Sequence, residues 1–170
     1  MAQIHRDVII VGGGFGGYYA AHELTHHGLP VSLIDTRGKQ TFQPLLYQAA
    51  TGLLDPETLD FKLASMDKVT AVADRVVAVD LENRQVTTSN GEQATADHLV
   101  LATGAQVNFY GVPGAEKYAF PLYTAENAQA IKARLQQLGP QVDGPIQVVV
   151  VGAGATGLSK RGVGAKSDRA

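Results

Sequence analysis

The sequence predicts an α/β fold built on a parallel sheet, and three observations predict it. Asp7-Val8-Ile9-Ile10-Val11 is an apolar, mostly β-branched run that passes straight into Gly12-Gly13-Gly14-Phe15-Gly16-Gly17. A helical stretch follows, then a second apolar run, Val31–Ile34, which ends at Asp35. Far along the chain, Ile146–Val151 meets Gly152-Ala153-Gly154-Ala155-Thr156-Gly157, an echo of the opening. Runs without polar alternation suit strands buried on both faces, as strands are when crossover helices cover the sheet.

Each element has its own warrant. From Gly14 to His27, residues Gly17, Ala20, Ala21 and Leu24 recur at helical spacing and give a narrow small-residue face, and Gly28 suits the position just past the helix end. Leu45–Ala50 reads as a short helix behind Pro44, and Asp55-Pro56-Glu57 as a loop. Val69–Val72 reads as a short strand. Val76–Leu81 and Gln85–Thr88, either side of Glu82-Asn83-Arg84, read as an antiparallel pair. His98–Ala102 is another apolar strand, ending in Thr103-Gly104. Thr124 can cap a helix with apolar positions Ala128, Ile131, Leu135 and Leu138, which Gly139-Pro140 stops. The expected core is three-layered, with Asp7–Val11, Val31–Ile34 and His98–Ala102 in one parallel sheet and Val76–Thr88 as an antiparallel appendage.

Composition narrows the function. Of 170 residues, 45% are hydrophobic and 18% charged, enough apolar material for a packed core. Cysteine is absent, which excludes a disulfide framework, a thiolate metal site, a cysteine nucleophile and a redox dithiol from this stretch. A net charge of −2 gives no basic footprint for nucleic acid. The last eleven residues differ, with Lys160, Arg161, Lys166 and Arg169 against Asp168. No apolar run approaches the ~20 residues of a spanning helix, and no apolar export segment opens the chain. A cytoplasmic protein is therefore expected.

Gly12, Gly14 and Gly17 carry the dinucleotide spacing. The first glycine permits the tight turn out of the strand, the second lets backbone approach a pyrophosphate, and the third lets helix and strand pack closely. The helix N-terminus offers N–H groups and a positive dipole end to the phosphates. An acid about 20 residues further on is the expected ribose ligand, and Asp35 stands there. Its carboxylate can accept both ribose hydroxyls and would repel a 2′-phosphate. Gly152, Gly154 and Gly157 repeat the spacing, but Gly162 and Gly164 fall where the next helix should run, and no second strand or acid follows.

His22-Glu23-Leu24-Thr25-His26 matches the zinc-protease motif H-E-x-x-H on a helix. No second zinc-binding segment accompanies it, and Ala21 and Leu24 of the same helix face the sheet. The histidines are expected to be solvated, with no metal.

Four motifs in order make the reading specific. Gly12–Gly17, Phe42-Gln43-Pro44-Leu45-Leu46-Tyr47-Gln48, Leu99-Val100-Leu101-Ala102-Thr103-Gly104-Ala105, and the second glycine loop behind Val148–Val151 together resemble the type II NADH:quinone oxidoreductases. These are flavoproteins with two dinucleotide-binding domains, peripheral to the cytoplasmic face of the membrane. The resemblance runs from about residue 6 to residue 157. It implies a Rossmann-like FAD-binding domain, with a parallel sheet and an antiparallel β appendage, over 1–140. The first strand and loop of a truncated NADH-binding domain would follow over 141–159, and 160–170 would be an aberrant basic tail.

The resemblance also assigns roles. Gly12, Gly14, Phe15 and Gly17 would hold the FAD pyrophosphate and Asp35 the adenosine ribose. Lys39 and Gln43 would line the flavin, Val76 would meet the adenine through its backbone, and Thr103 and Gly104 would close over the cofactor. Gly152, Gly154 and Gly157 would begin the NADH site. The implied reaction is hydride transfer from NADH to FAD and electron delivery to a quinone, so no acid–base triad is sought and no catalytic side chain is assigned. The absence of cysteine sets this stretch apart from the disulfide reductases and the sulfide:quinone oxidoreductases.

There are departures. Ser159 stands where the family has a glutamate, and the tail from Lys160 resembles nothing in it. The rest of the NADH domain, the returning flavin-binding segment and the C-terminal membrane-binding region of the family are not expected within these 170 residues. The expected consequence is weak or absent activity of this chain alone. A non-catalytic FAD- or ADP-binding module and a partner-dependent half of a split flavoprotein are the alternatives.

Overall fold

A computed structural model describes residues 4–139 and 147–152. The chain divides into two compact units, one of Met1–Thr41 with Asp60–Gln106, the other of Phe42–Leu59 with the described residues from Val107 on.

The first unit is built on a six-stranded sheet. Its strands are β1 (Ile4–Val11), β2 (Val31–Ile34), β5 (Val69–Val72), β6 (Val76–Asp80), β7 (Gln85–Thr88) and β8 (Gln93–Leu101). The order is β5-β2-β1-β8-β7-β6. β1 lies inside the sheet, parallel to β2 with Val8 opposite Val31, and parallel to β8 with Ile9 opposite Leu99. Val8 to Val11 are all buried, as a strand with neighbours on both edges and cover on both faces requires. β5 extends the parallel part, while β7 and β6 add the antiparallel end.

Helix α1 (Phe15–His26) follows β1 and buries Gly17 and Ala21. Ala20 and Leu24 pack beside them against Val8, Ile10, Val31 and Leu33, so the small-residue face is the one the spacing predicts. Gly28, at φ +87°, follows the helix end. The opposite face of β1 and β2 carries Ile9, Val11 and Ile34, which share a cluster with Val86 and Ala96 of the antiparallel end.

Two local expectations need correction, and one pair of strands was not expected. β8 begins at Gln93, five residues before His98, because its first half pairs with both β1 and β7. Pro56–Leu59 is a 3-10 turn, set by the Asp55 carboxylate and carbonyl, which accept from the Glu57 and Thr58 N–H groups. A two-stranded ladder of β3 (Lys39–Thr41) and β4 (Asp60–Lys62) joins the first unit; segments of three polar-rich residues leave no periodic signal.

In the second unit, a 3-10 turn at Gln43–Leu45 leads into α2 (Leu46–Ala50). α3 (Ala115–Tyr118) is a single turn, and α4 (Ala125–Leu138) follows. Leu46, Ala49 and Ala50 of α2 pack with Ala125, Ala128 and Ile131. Thr124 and Asn127 cap α4 reciprocally, and the Asn127 amide oxygen also accepts from the Tyr123 N–H. Val148–Val151 forms no strand. These valines are 62%, 87%, 40% and 95% exposed. Their composition suits a buried strand, but a strand is made by its ladder partners, and none of the described strands pairs with this run. Ile146 and Pro140 lie outside the described residues.

Candidate functional site

The glycine loop leaves β1 at the sheet's point of reversal, where β2 and β5 continue on one side and β8 on the other. In open α/β sheets, the crevice outside the carboxyl ends of the strands at such a point is where ligands bind. The backbone there is tightly tied. Gly12 N–H donates to Ile34 O at 2.8 Å, Ala102 N–H to Val11 O at 2.8 Å, and Asp35 N–H to Val72 O at 3.0 Å.

The three glycines of the spacing face different surroundings. Gly12 has φ +100°, and a Cβ on it would lie 2.3 Å from Ala102 O. A Cβ on Gly17 would lie 1.8 Å from Gly12 O. Both positions are closed by the protein itself. Gly14 is the reverse, with no atom beyond its chain neighbours within 4 Å of where its Cβ would stand. It caps α1, with no side-chain cap bond, at φ −70° and ψ −166°. The loop is therefore shut against the fold at two glycines and open at the third, beside the positive end of a 12-residue helix.

Asp35 lies at the edge of this opening. Its Oδ2 accepts from Gly13 N–H at 2.9 Å, and its Oδ1 from Arg37 N–H at 2.8 Å. Phe15 opens α1, and its ring stacks with that of Tyr19 at 6.2 Å. Thr103 adjoins Gly12 through its backbone, its Cα 3.1 Å from the Cβ position of that glycine, and Gly104 follows with φ +76°. The structure thus brings Gly12, Gly14, Phe15, Gly17, Asp35, Thr103 and Gly104 to one end of the sheet.

The remaining candidates stand on other elements. Lys39 is on β3, where its ammonium pairs with Asp60 at 2.5 Å and Thr41 Oγ1 donates to the same carboxylate at 2.6 Å. Val76 opens β6, opposite Thr88. Gln43 belongs to the second unit, where its amide donates to Tyr123 O at 3.1 Å. Gly152, also there, has φ +108°, close to the +100° of Gly12. Gly154 and Gly157 lie outside the described residues. His22 and His26 are exposed, and Glu23 pairs with His27 at 3.1 Å, one turn along.

Gly13 is a residue that sequence reasoning passes over, since the spacing treats it as free. It is buried, and a Cβ there would lie 2.4 Å from Leu63 Cδ1 and 3.2 Å from Asp35 Cβ. The run of three glycines, Gly12-Gly13-Gly14, was the available signal.

Against known proteins, the sequence profile of the pyridine nucleotide-disulphide oxidoreductases matches residues 6–160. A type II NADH:quinone oxidoreductase of Mycobacterium tuberculosis is 32% identical over 93% of this chain and 37% of that protein. The crystal structure of the sulfide:quinone oxidoreductase from Aquifex aeolicus superposes with a TM-score of 0.74 at 30% identity, covering 84% of this chain and 33% of that one. The NDH2 of Plasmodium falciparum, solved with NADH, superposes at 0.68 and 21% identity, over 81% and 31% of the two chains, a likeness of fold. The chain thus spans about a third of the length of these relatives.

Proposed function

This chain belongs to the pyridine nucleotide-disulphide oxidoreductase family, and from that premise we propose that its first unit holds FAD at the Gly12–Gly17 loop, in a protein that passes electrons from NADH through FAD to a quinone. The observation that carries the reading is the contrast between Gly14 and its two neighbours in the spacing. Gly12 and Gly17 are glycines because the fold leaves no room for a side chain; Gly14 faces open space at a helix N-terminus. An anionic pyrophosphate suits that space, drawn by helix N–H groups and dipole.

Each neighbouring residue then has a task. Asp35 accepts ribose hydroxyls on lone pairs its two backbone contacts leave unused. Val76 meets the adenine through its backbone, and Thr103 and Gly104 close the strand ends over the dinucleotide. Lys39 lines the flavin, its side chain fixed by Asp60. Gly152, with Gly154 and Gly157, begins the NADH site; the near-equal φ of Gly152 and Gly12 supports the parallel. Bound flavin supplies the redox chemistry, accepting electrons as a hydride and releasing them to the acceptor. The name of the Mycobacterium relative supports the donor and acceptor class.

The test is titration of the purified chain with FAD, followed by flavin fluorescence, with ADP and riboflavin as competitors. The expected result is binding that ADP displaces and riboflavin does not, because the loop holds the pyrophosphate and adenosine. Absence of binding, or displacement by riboflavin instead, contradicts the reading.

A further inference from the structure

We propose that Asp35 is a positioning residue as well as a ribose acceptor: its carboxylate clasps the glycine loop to the end of β2 and sets the loop's shape before any nucleotide arrives. The proposal deepens the cofactor reading above and rests on it.

The geometry is that of a clasp. Asp35 sits 22 residues from Gly13, and its Oδ2 takes the Gly13 N–H at 2.9 Å while Oδ1 takes the Arg37 N–H at 2.8 Å. Its own N–H is fixed on Val72 O, so the anchor stands on the parallel ladder. Gly13 is buried, and an amide buried there without an acceptor is costly. Glycine keeps that approach unhindered, since a Cβ there would lie 2.4 Å from Leu63 Cδ1 and 3.2 Å from Asp35 Cβ and would make both side chains shift. Helix α1 has no side-chain cap of its own. The Asp35 carboxylate takes over that ordering role from outside the helix, one residue upstream of its cap.

A ribose-only role needs no contact with Gly13. The two roles separate with a ligand that has pyrophosphate and adenine but no ribose hydroxyls. The experiment titrates the full chain, and its Asp35→Ala and Asp35→Asn variants, with ADP and with 2′,3′-dideoxy-ADP. Amide hydrogen exchange at Gly13 is followed by NMR without nucleotide. Hydrogen bonds to a charged group are strong enough that Asp35→Ala is expected to lose about tenfold in affinity for dideoxy-ADP as well as for ADP. Its Gly13 amide is expected to exchange faster, since local opening is no longer opposed. Asp35→Asn keeps one oxygen for Gly13 and is expected to recover part of both effects; it also decides the matter if the alanine variant does not fold.

Equal dideoxy-ADP affinity in all three proteins, with only ADP weakened, overturns the clasp and leaves the ribose role. Unchanged exchange at Gly13 overturns it as well. If the unsubstituted chain binds neither nucleotide while Gly13 exchange still depends on Asp35, the cofactor reading falls, and with it the function assigned to the clasp.

Discussion

Gly17 packs against the carbonyl of Gly12 so closely that a Cβ on Gly17 would lie 1.8 Å from that oxygen and 3.2 Å from Ile10 Cγ2. The contact ties the first turn of α1 to the exit of β1. Neither partner can give way easily, since Gly12 N–H is bonded to Ile34 O.

Gly17→Ala is therefore expected to destabilise the chain by about 3 kcal/mol, the upper range for overpacking a tight interior. Gly16→Ala is the control. Its Cβ would meet nothing nearer than Ala102 Cβ at 3.7 Å, and replacing a helical glycine with alanine is expected to gain roughly 0.5–1 kcal/mol. Urea unfolding of the two variants measures both; similar behaviour would mean that the Gly12–Gly17 contact is not a constraint.

The β6–β7 turn gives a pH prediction. The Asp80 carboxylate accepts from the Asn83 side chain at 2.7 Å and from the Asn83 and Glu82 N–H groups at 3.1 and 3.0 Å. These bonds, that from the Asn83 side chain first, hold its pKa below the ordinary 3.8. Asp74 is lowered likewise, chiefly by the Ser89 hydroxyl. A carboxylate with a depressed folded pKa stabilises the fold above its unfolded pKa and loses that contribution as pH falls through the folded value. The stability gap between the native chain and Asp80→Ala, read from urea midpoints, is expected to be constant from pH 7 to about pH 5 and to shrink below the ordinary aspartate value. A gap that widens in acid would contradict the assignment.

Much of this was legible in the sequence because the strongest signals are dense and local. β1, the glycine loop, α1 and β2 come from an unbroken apolar run, fixed glycine spacing and a helical face, and the structure places Gly12, Gly17 and Asp35 together at the strand ends. The ladder of β3 and β4 was not legible, because Lys39–Thr41 and Asp60–Lys62 owe their strand state to each other across some twenty residues of chain. Val148–Val151 shows the opposite failure. Four valines have every local preference for a strand, yet without a ladder partner among the described strands they stay exposed. The role of Gly13 was hidden for a different reason, since the close approach of Leu63 and Asp35 exists only in three dimensions.

Turnover follows from the same segment. Hydride transfer depends on the nicotinamide being held against the flavin, and that alignment supplies much of the rate. With Val148–Val151 paired to none of the described strands, the polypeptide of these 170 residues, given excess FAD and a soluble quinone, is expected to oxidise NADH far more slowly than the roughly 10 per second of an ordinary enzyme. Steady-state loss of NADH absorbance measures it, and turnover on that ordinary scale would contradict the expectation.

The most direct test of the account is Gly14→Val. Beyond its own chain neighbours nothing in the protein lies within 4 Å of the Gly14 Cβ position, and its φ of −70° admits any side chain. Valine is a poorer helix N-cap than glycine, so the variant is expected to lose about 1 kcal/mol of stability and to remain folded. Its branched side chain would stand where the pyrophosphate belongs. FAD titration of the two proteins is expected to show a loss of affinity on the order of 100-fold, about 2.7 kcal/mol, in the variant. Equal FAD affinity in a folded Gly14→Val chain would contradict the claim that this loop holds the cofactor.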